Sequence, residues 1–258
     1  MRGRSAVAVV LAAVVLLLAA TTASAQSWSE RRASAVRYLQ TRSGVESFAF
    51  MDDRGRLYSY RAWVRAPSAS LLKAMLLVAY LNRSSVRNRA LTDSDRRLLG
   101  PMIRWSDNVT AGSVLNIVGE SGLNLVARRA NMRWFELRVP WGLSTTTAAD
   151  QVRFFYRIDR LMPARHRAYG MNLLRRIVPS QRWGIPPVKP DGWFIHFKGG
   201  WGTGTGRVTH QSALLRTATK RIALSVITEW NPNHTYGTWT IRGVAARMLK
   251  RPLPLAPQ

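Results

Sequence analysis

Ser70-Leu71-Leu72-Lys73 opens an apolar stretch of helical spacing, which puts a serine and a lysine on the same side of a helix, one turn apart. A serine hydroxyl is a weak nucleophile until a base takes its proton, and a lysine whose pKa is lowered by burial beside other cations can be that base. Ser70 is therefore read as a self-acylating nucleophile and Lys73 as its activating partner. The helix start adds oriented backbone N–H groups suited to a developing oxyanion. Alone the pattern is weak, but Ser106-Asp107-Asn108 and Lys198-Gly199-Gly200 follow it in order. Only five of the 39 basic residues are lysines, so Lys73 and Lys198 stand where arginine is the rule.

The Ser106 hydroxyl can pass a proton to a leaving group, and the Asn108 amide can hold a substrate carbonyl or orient Lys73. Asp107 either turns inward to fix the loop or, with Ser106, caps the helix that follows. Lys198 ends a predicted strand, where a cation suits a substrate carboxylate. Gly199 and Gly200 allow backbone to approach a ligand, and the N–H of Trp201 is a second oxyanion donor beside that of Ser70. The glycine alternation from Gly199 to Gly206 lacks the Gly-Lys-Ser/Thr ending of a phosphate loop and reads as a hairpin turn. His196 shares a strand face with Lys198, either lining the cleft or serving as a structural histidine. Arg207 is either a carboxylate anchor or one of many solvated arginines. Trp183, Trp201 and Trp230 read as core or cleft walls.

These groups need a scaffold, and hydropathy patterning supplies one. Trp28 to Arg42 is an amphipathic helix, and Ser47–Met51 and Leu57–Trp63 flank the turn signal Asp52-Asp53-Arg54-Gly55 as two strands. Helical segments follow at Leu71–Leu81, Asp93–Ile103, Ala111–Val118, Asn124–Ala130, Ala148–Leu161 and Arg167–Ile177. Thr92-Asp93-Ser94-Asp95 and Thr145-Thr146-Thr147 supply helix starts. After Pro186-Pro187 come three strands, Trp193–Lys198, Val208–Arg216 and Arg221–Thr228, and a closing helix, Tyr236–Leu249. The order predicts an α+β fold: a five-stranded antiparallel sheet flanked by the terminal helices, with an all-helical lobe beside it. The lobe boundaries fall at residues 26–66 with 187–258 for the sheet part and 67–186 for the helical part, in a single catalytic domain.

Residues 1–25 carry two arginines, an apolar run from Ala6 to Ala20 and Ala23-Ser24-Ala25, the pattern of a cleaved signal peptide, so the mature chain is expected to start near Gln26 and to be secreted, extracellular or wall-associated. The apolar run is short for a membrane span. There is no cysteine, and hence no lipoprotein anchor, thiol nucleophile or thiolate zinc site. His166, His196, His210 and His234 form no pair at helical ligand spacing, so neither metal nor cofactor is expected. The net charge of +26 would suit nucleic acid, yet the arginines are scattered and the chain carries an export signal. An anionic wall or phospholipid surface is the expected electrostatic partner, with the protein a monomer that binds no nucleic acid. Coding bias is the plainer account of the arginines.

Ser-x-x-Lys, Ser-Asp-Asn and a Lys-x-Gly strand, together with Trp105 to Ala111, the threonines before Ala148 and Gly192-Trp193, resemble the class A β-lactamase and penicillin-binding protein superfamily over nearly all of the mature length. The chain is similar to secreted actinobacterial serine hydrolases of that group, which often carry Lys-Gly-Gly-Trp. The resemblance implies a two-lobed fold, an acyl-enzyme on Ser70, and β-lactams or peptidoglycan D-alanyl peptides as substrates. Two departures accompany it. Gly199 replaces a threonine whose hydroxyl would bind the substrate carboxylate, a loss of about 1–3 kcal/mol. In Arg133-Trp134-Phe135-Glu136-Leu137-Arg138, phenylalanine stands where the resemblance implies the glutamate that activates the deacylating water, and the short segment up to Thr145 lacks an aspartate to close the loop against Arg133. Glu136 could serve only if the register slips by one residue. An acyl-enzyme that forms and then turns over slowly is the expectation. The alternative is a non-catalytic wall-binding or regulatory protein that kept the fold.

Overall fold

The computed structural model describes residues 27–249; the signal-peptide reading and the start near Gln26 lie outside the described residues. The chain begins with α1 (Trp28–Leu39), whose start is a reciprocal cap: Ser27 Oγ accepts from the Glu30 amide while the Glu30 carboxylate accepts from the Ser27 amide at 2.7 Å. The hairpin β1 (Val45–Met51) and β2 (Leu57–Tyr60) follows, with Asp52 Oδ1 accepting from the amides of Arg54 and Arg56 to fix its turn. Next come β3 (Ala66–Pro67), α2 (Leu72–Leu81), α3 (Ser84–Arg87), α4 (Asp93–Arg104), α5 (Asn108–Arg129), β4 (Thr145–Thr146), α6 (Ala148–Leu161) and α7 (Ala164–Arg175). The chain closes with β5 (Phe194–Gly202), β6 (Val208–Arg216), β7 (Arg221–Glu229) and α8 (His234–Leu249).

The fold is α+β, built on a five-stranded antiparallel sheet of order β2-β1-β7-β6-β5, as the pattern of strand segments predicts. The central strands β1, β7 and β6 are buried along nearly their whole length, because α8 and α6 each pack on β6 and β7 from opposite sides, α1 joining α8. Two differences concern extent. The predicted strand ending at Lys198 runs on to Gly202, so Gly199 and Gly200 are strand residues and the turn spans 203–207. The two predicted helices at 111–118 and 124–130 are present as two helical segments of α5 on either side of a kink at Gly119 (φ 64°, ψ 179°), each beginning earlier than predicted. A third difference is placement: α6, inside the segment read as the helical lobe, lies against the sheet.

The ten residues of α2 are all buried, Lys73 included. A helix apolar all round is a core helix, and it packs chiefly on α5, with α4 and α7 around it.

The short β3–β4 ladder, Ala66 opposite Thr146, was not visible in the sequence pattern and ties the chain before Ser70 to the loop at 131–144. That loop has its own closure. The carboxylate of Asp150, fully buried in the first turn of α6, accepts from the backbone amides of Arg133 and Trp134, each at 2.8 Å. The segment up to Thr145 holds no aspartate, as its sequence shows; the closing carboxylate comes from the next helix and binds backbone amides instead of the arginine side chain. Asp150→Ala is expected to cost about 2–4 kcal/mol, since two amides lose a charged acceptor. A fall in the urea midpoint with an unchanged slope is the readout.

Candidate active site

The nucleophile turn is held from three sides. The Ser68 amide donates to Ser144 O at 2.7 Å, β3 pairs with β4, and Pro67 O accepts from His210 on β6 at 2.9 Å. The Thr228 amide can only donate to His210 Nδ1 (3.2 Å), so Nε2 carries the proton given to Pro67. Burial pushes the His210 pKa down to about 4, keeping this clamp neutral. His196 is likewise structural: its Nδ1 meets Met171 O at 2.9 Å and burial lowers its pKa to about 4. Ala69 and Ser106, both beside the chemistry, have positive φ of 43° and 60°. Such conformations cost about 1–3 kcal/mol each in non-glycine residues and persist only where the surroundings enforce them.

Three predicted residues converge at one oxygen. Ser106 Oγ accepts from Lys73 Nζ at 3.2 Å and from Lys198 Nζ at 2.9 Å, so a hydroxyl bridges two lysines that are both 0% exposed. Lys73 Nζ also donates to Asn108 Oδ1 at 2.7 Å and to Ser106 O, and Lys198 Nζ donates to Gly199 O at 2.8 Å. Burial lowers the Lys73 pKa to about 8 against the opposing pull of the Asp107 carboxylate. Burial and the Lys73 charge bring Lys198 well below its ordinary value. Asp107 caps α5, accepting from the Thr110 amide and hydroxyl at 2.7 Å.

Ser70 faces a cleft of about 440 Å³ bounded by Asn108, Pro140, Trp141, Leu143 and Trp201. Trp141, which no sequence signal marked, lies with its ring centre 5.2 Å from Lys73 Nζ and excludes water from that side. On the opposite wall Gly200 presses on the nucleophile turn: a Cβ there would lie 3.0 Å from Ser70 N and 3.1 Å from Leu71 N. Gly200→Ala is expected to push β5 away from the Ser70 amide and slow acylation on the order of 10²-fold, the scale of losing one oxyanion donor. Stopped-flow acylation kinetics would record it. A Cβ at Gly199 would instead meet the Trp183 ring at 2.9 Å, so that indole fills the space beside the glycine.

Two predicted residues fall elsewhere. Arg207 is corrected: it does not line the Ser70 cleft but an adjoining cavity of about 470 Å³ beyond Trp201, with its guanidinium 5.9 Å from the Trp230 ring. It stands at the end of the turn with a positive φ of 49°. Glu136 is corrected too. Its backbone pairs with Thr145, while its exposed carboxylate takes Arg138 at 3.1 Å, and it is not among the cleft-lining residues. The antiparallel bridge to Thr145 sets the direction in which that side chain leaves the loop.

A sheet sandwiched by helices, with a serine and two lysines joined at its edge strand, defines the serine β-lactamase and penicillin-binding protein class of fold. The chain belongs to the β-lactamase enzyme family, whose model matches residues 94–251. In structure it is similar to the β-lactamase from Sphaerobacter thermophilus DSM 20745 (TM-score 0.74, 19% identity, 87% of this chain and 97% of that one covered). It is similar as well to a class A β-lactamase from Mycobacterium abscessus (TM-score 0.72, 20% identity, 85% and 98% covered). A mutant of PBP-A described as an acyl-enzyme complex with penicillin G is a further neighbour (TM-score 0.70, 17% identity, 85% and 94% covered). No curated protein matches the chain in sequence.

Proposed function

We propose that this chain is an exported serine hydrolase that opens a β-lactam or a peptidoglycan D-alanyl amide through an acyl-enzyme on Ser70 and releases the acyl group slowly. The observation that carries this reading is the Ser106 oxygen shared by two buried lysines, in front of a cleft that Ser70 lines. Neutral Lys73 takes the Ser70 proton as the serine oxygen attacks the carbonyl carbon. Negative charge gathers on the carbonyl oxygen, which the amides of Ser70 and Trp201 receive. Ser106 gives its proton to the departing nitrogen and takes the one held by Lys73, so the proton lost by Ser70 ends on the leaving group and Lys73 is neutral again. Lys198 donates to Ser106 throughout and holds its hydroxyl in place. The acyl ester then waits for water.

The leader and the net positive charge support a place at the anionic cell envelope. Intact-protein mass spectrometry after exposure to benzylpenicillin and to a cephalosporin tests the reading. A drug-sized mass increase on the wild type and none on Ser70→Ala is expected; no increase with either drug would remove the β-lactam part of the proposal.

A further inference from the structure

The catalytic cleft has no charged residue in its lining, although the chain has 39 basic residues. A different concavity, of about 480 Å³, collects four of them: Arg175 and Arg176 from the end of α7, with Arg182 and Lys189 from the connection that leads to β5. No carboxylate is among its lining residues; Asp191 lies in the same connection but outside them. Among the described residues no ion pair involves Arg175, Arg176 or Arg182. Like charges gathered around one hollow repel each other unless an anion sits between them.

Two of the four cations are held in place, not left to wander. The Arg175 guanidinium lies 4.5 Å from the centre of the Phe194 ring, and that of Arg182 5.4 Å from Phe197. Arg182 Nη1 also donates to Arg175 O at 3.0 Å, and the Arg104 guanidinium donates to Arg176 O at 3.2 Å, which fixes the end of α7. A guanidinium stacked on a ring keeps N–H groups along its edge for an acceptor, and the ordering that binding would otherwise demand is already made. Cations arriving from both the helix end and the connection suit an anion with acceptor oxygens on every side. A carboxylate, with two oxygens in one plane, would satisfy only part of them.

We propose that this cavity is an anion site that takes a phosphate or pyrophosphate group, free or carried on a lipid headgroup. Phe194, in its wall, precedes Lys198 by four residues on the same edge strand, roughly 13 Å at the rise of a β-strand. The site stands independently of the acyl-enzyme reading.

The test is calorimetric titration with sodium pyrophosphate at fixed ionic strength, comparing wild type with two doubly substituted chains of equal charge. One carries Arg175→Gln and Arg176→Gln. The other carries Arg128→Gln and Arg129→Gln, at exposed positions at the end of α5. Saturable one-to-one binding is expected, weakened at least tenfold by the first pair and less than twofold by the second. The single Arg176→Gln, which leaves the Arg175 stack intact, is expected to weaken binding at least threefold and serves if the double variant fails to fold. Equal weakening by both pairs would assign the effect to overall charge and overturn the site, as would the absence of saturable binding to both pyrophosphate and vesicles. Vesicles of phosphatidylglycerol in phosphatidylcholine separate the sources: capture that needs Arg175 and Arg176, without pyrophosphate binding, places the phosphate on a headgroup.

Discussion

Lys73→Met is expected to slow acylation of Ser70 by benzylpenicillin about 10²–10⁴-fold, the usual worth of a positioned general base. The wild-type rate carries the complementary signature. With the Lys73 pKa near 8, its neutral form is the minor one at pH 7 and falls tenfold with each further unit of acidity. The acylation rate should therefore rise tenfold per pH unit through the acid side and level off above about 8. Lys73→Arg separates base from charge: a guanidinium keeps the positive charge but cannot give up its proton, so it should be nearly as slow as methionine. An arginine variant that kept the wild-type rate would show that the cation matters and the base does not. Wild-type-like kinetics in Lys73→Met would remove the residue from the chemistry altogether. The readout is the rate of mass increase on Ser70 between pH 5 and 10.

The acyl-enzyme, once formed, is expected to outlast one served by a general base by about 10²–10⁴-fold. Water must be deprotonated as it attacks the ester, and no carboxylate is among the residues that line the cleft. Glu136, the residue that a shifted register could have delivered, is held by its backbone bridge and by Arg138 on an exposed part of the loop. Glu136→Gln should accordingly leave the adduct half-life within twofold of wild type, measured by mass after free drug is removed. A tenfold longer half-life in that variant would restore Glu136 as the base. A wild-type adduct that vanishes within the mixing time, with the drug consumed, would mean that another group activates the water.

Much of the architecture was legible because each element is locally consistent. The helix at Ala148–Leu161 matches its predicted bounds, since a threonine cap and an acidic first turn mark its start. The five strands were legible because the first two are aromatic-rich segments on either side of Asp52-Asp53-Arg54-Gly55 and the last three are bounded by glycine, asparagine or proline. What misled was locally ambiguous. Gly199 and Gly200 look like a turn, yet β6 continues to pair with them as far as Gly202. Two-residue strands such as β3 and β4 have no periodicity to detect.

The sequence by itself determined the reactive groups and their order along the chain: a serine one helical turn from a lysine, a second serine before a helix, and a second lysine on a strand. It did so because spacing within one helix or strand fixes which side chains share a face, whatever the rest of the molecule does. Only the tertiary structure decided that Ser106 would lie between Lys73 and Lys198, 33 and 92 residues from it, because that meeting depends on how α2, α5 and the edge strand pack. It also decided what the sequence misplaced. Asp150 closes a loop from another helix, Arg207 lines a cavity next to the Ser70 cleft, and Glu136 is set on the surface by a bridge to Thr145. Direction at a loop or turn is fixed by long-range hydrogen bonds, and these have no period in the sequence.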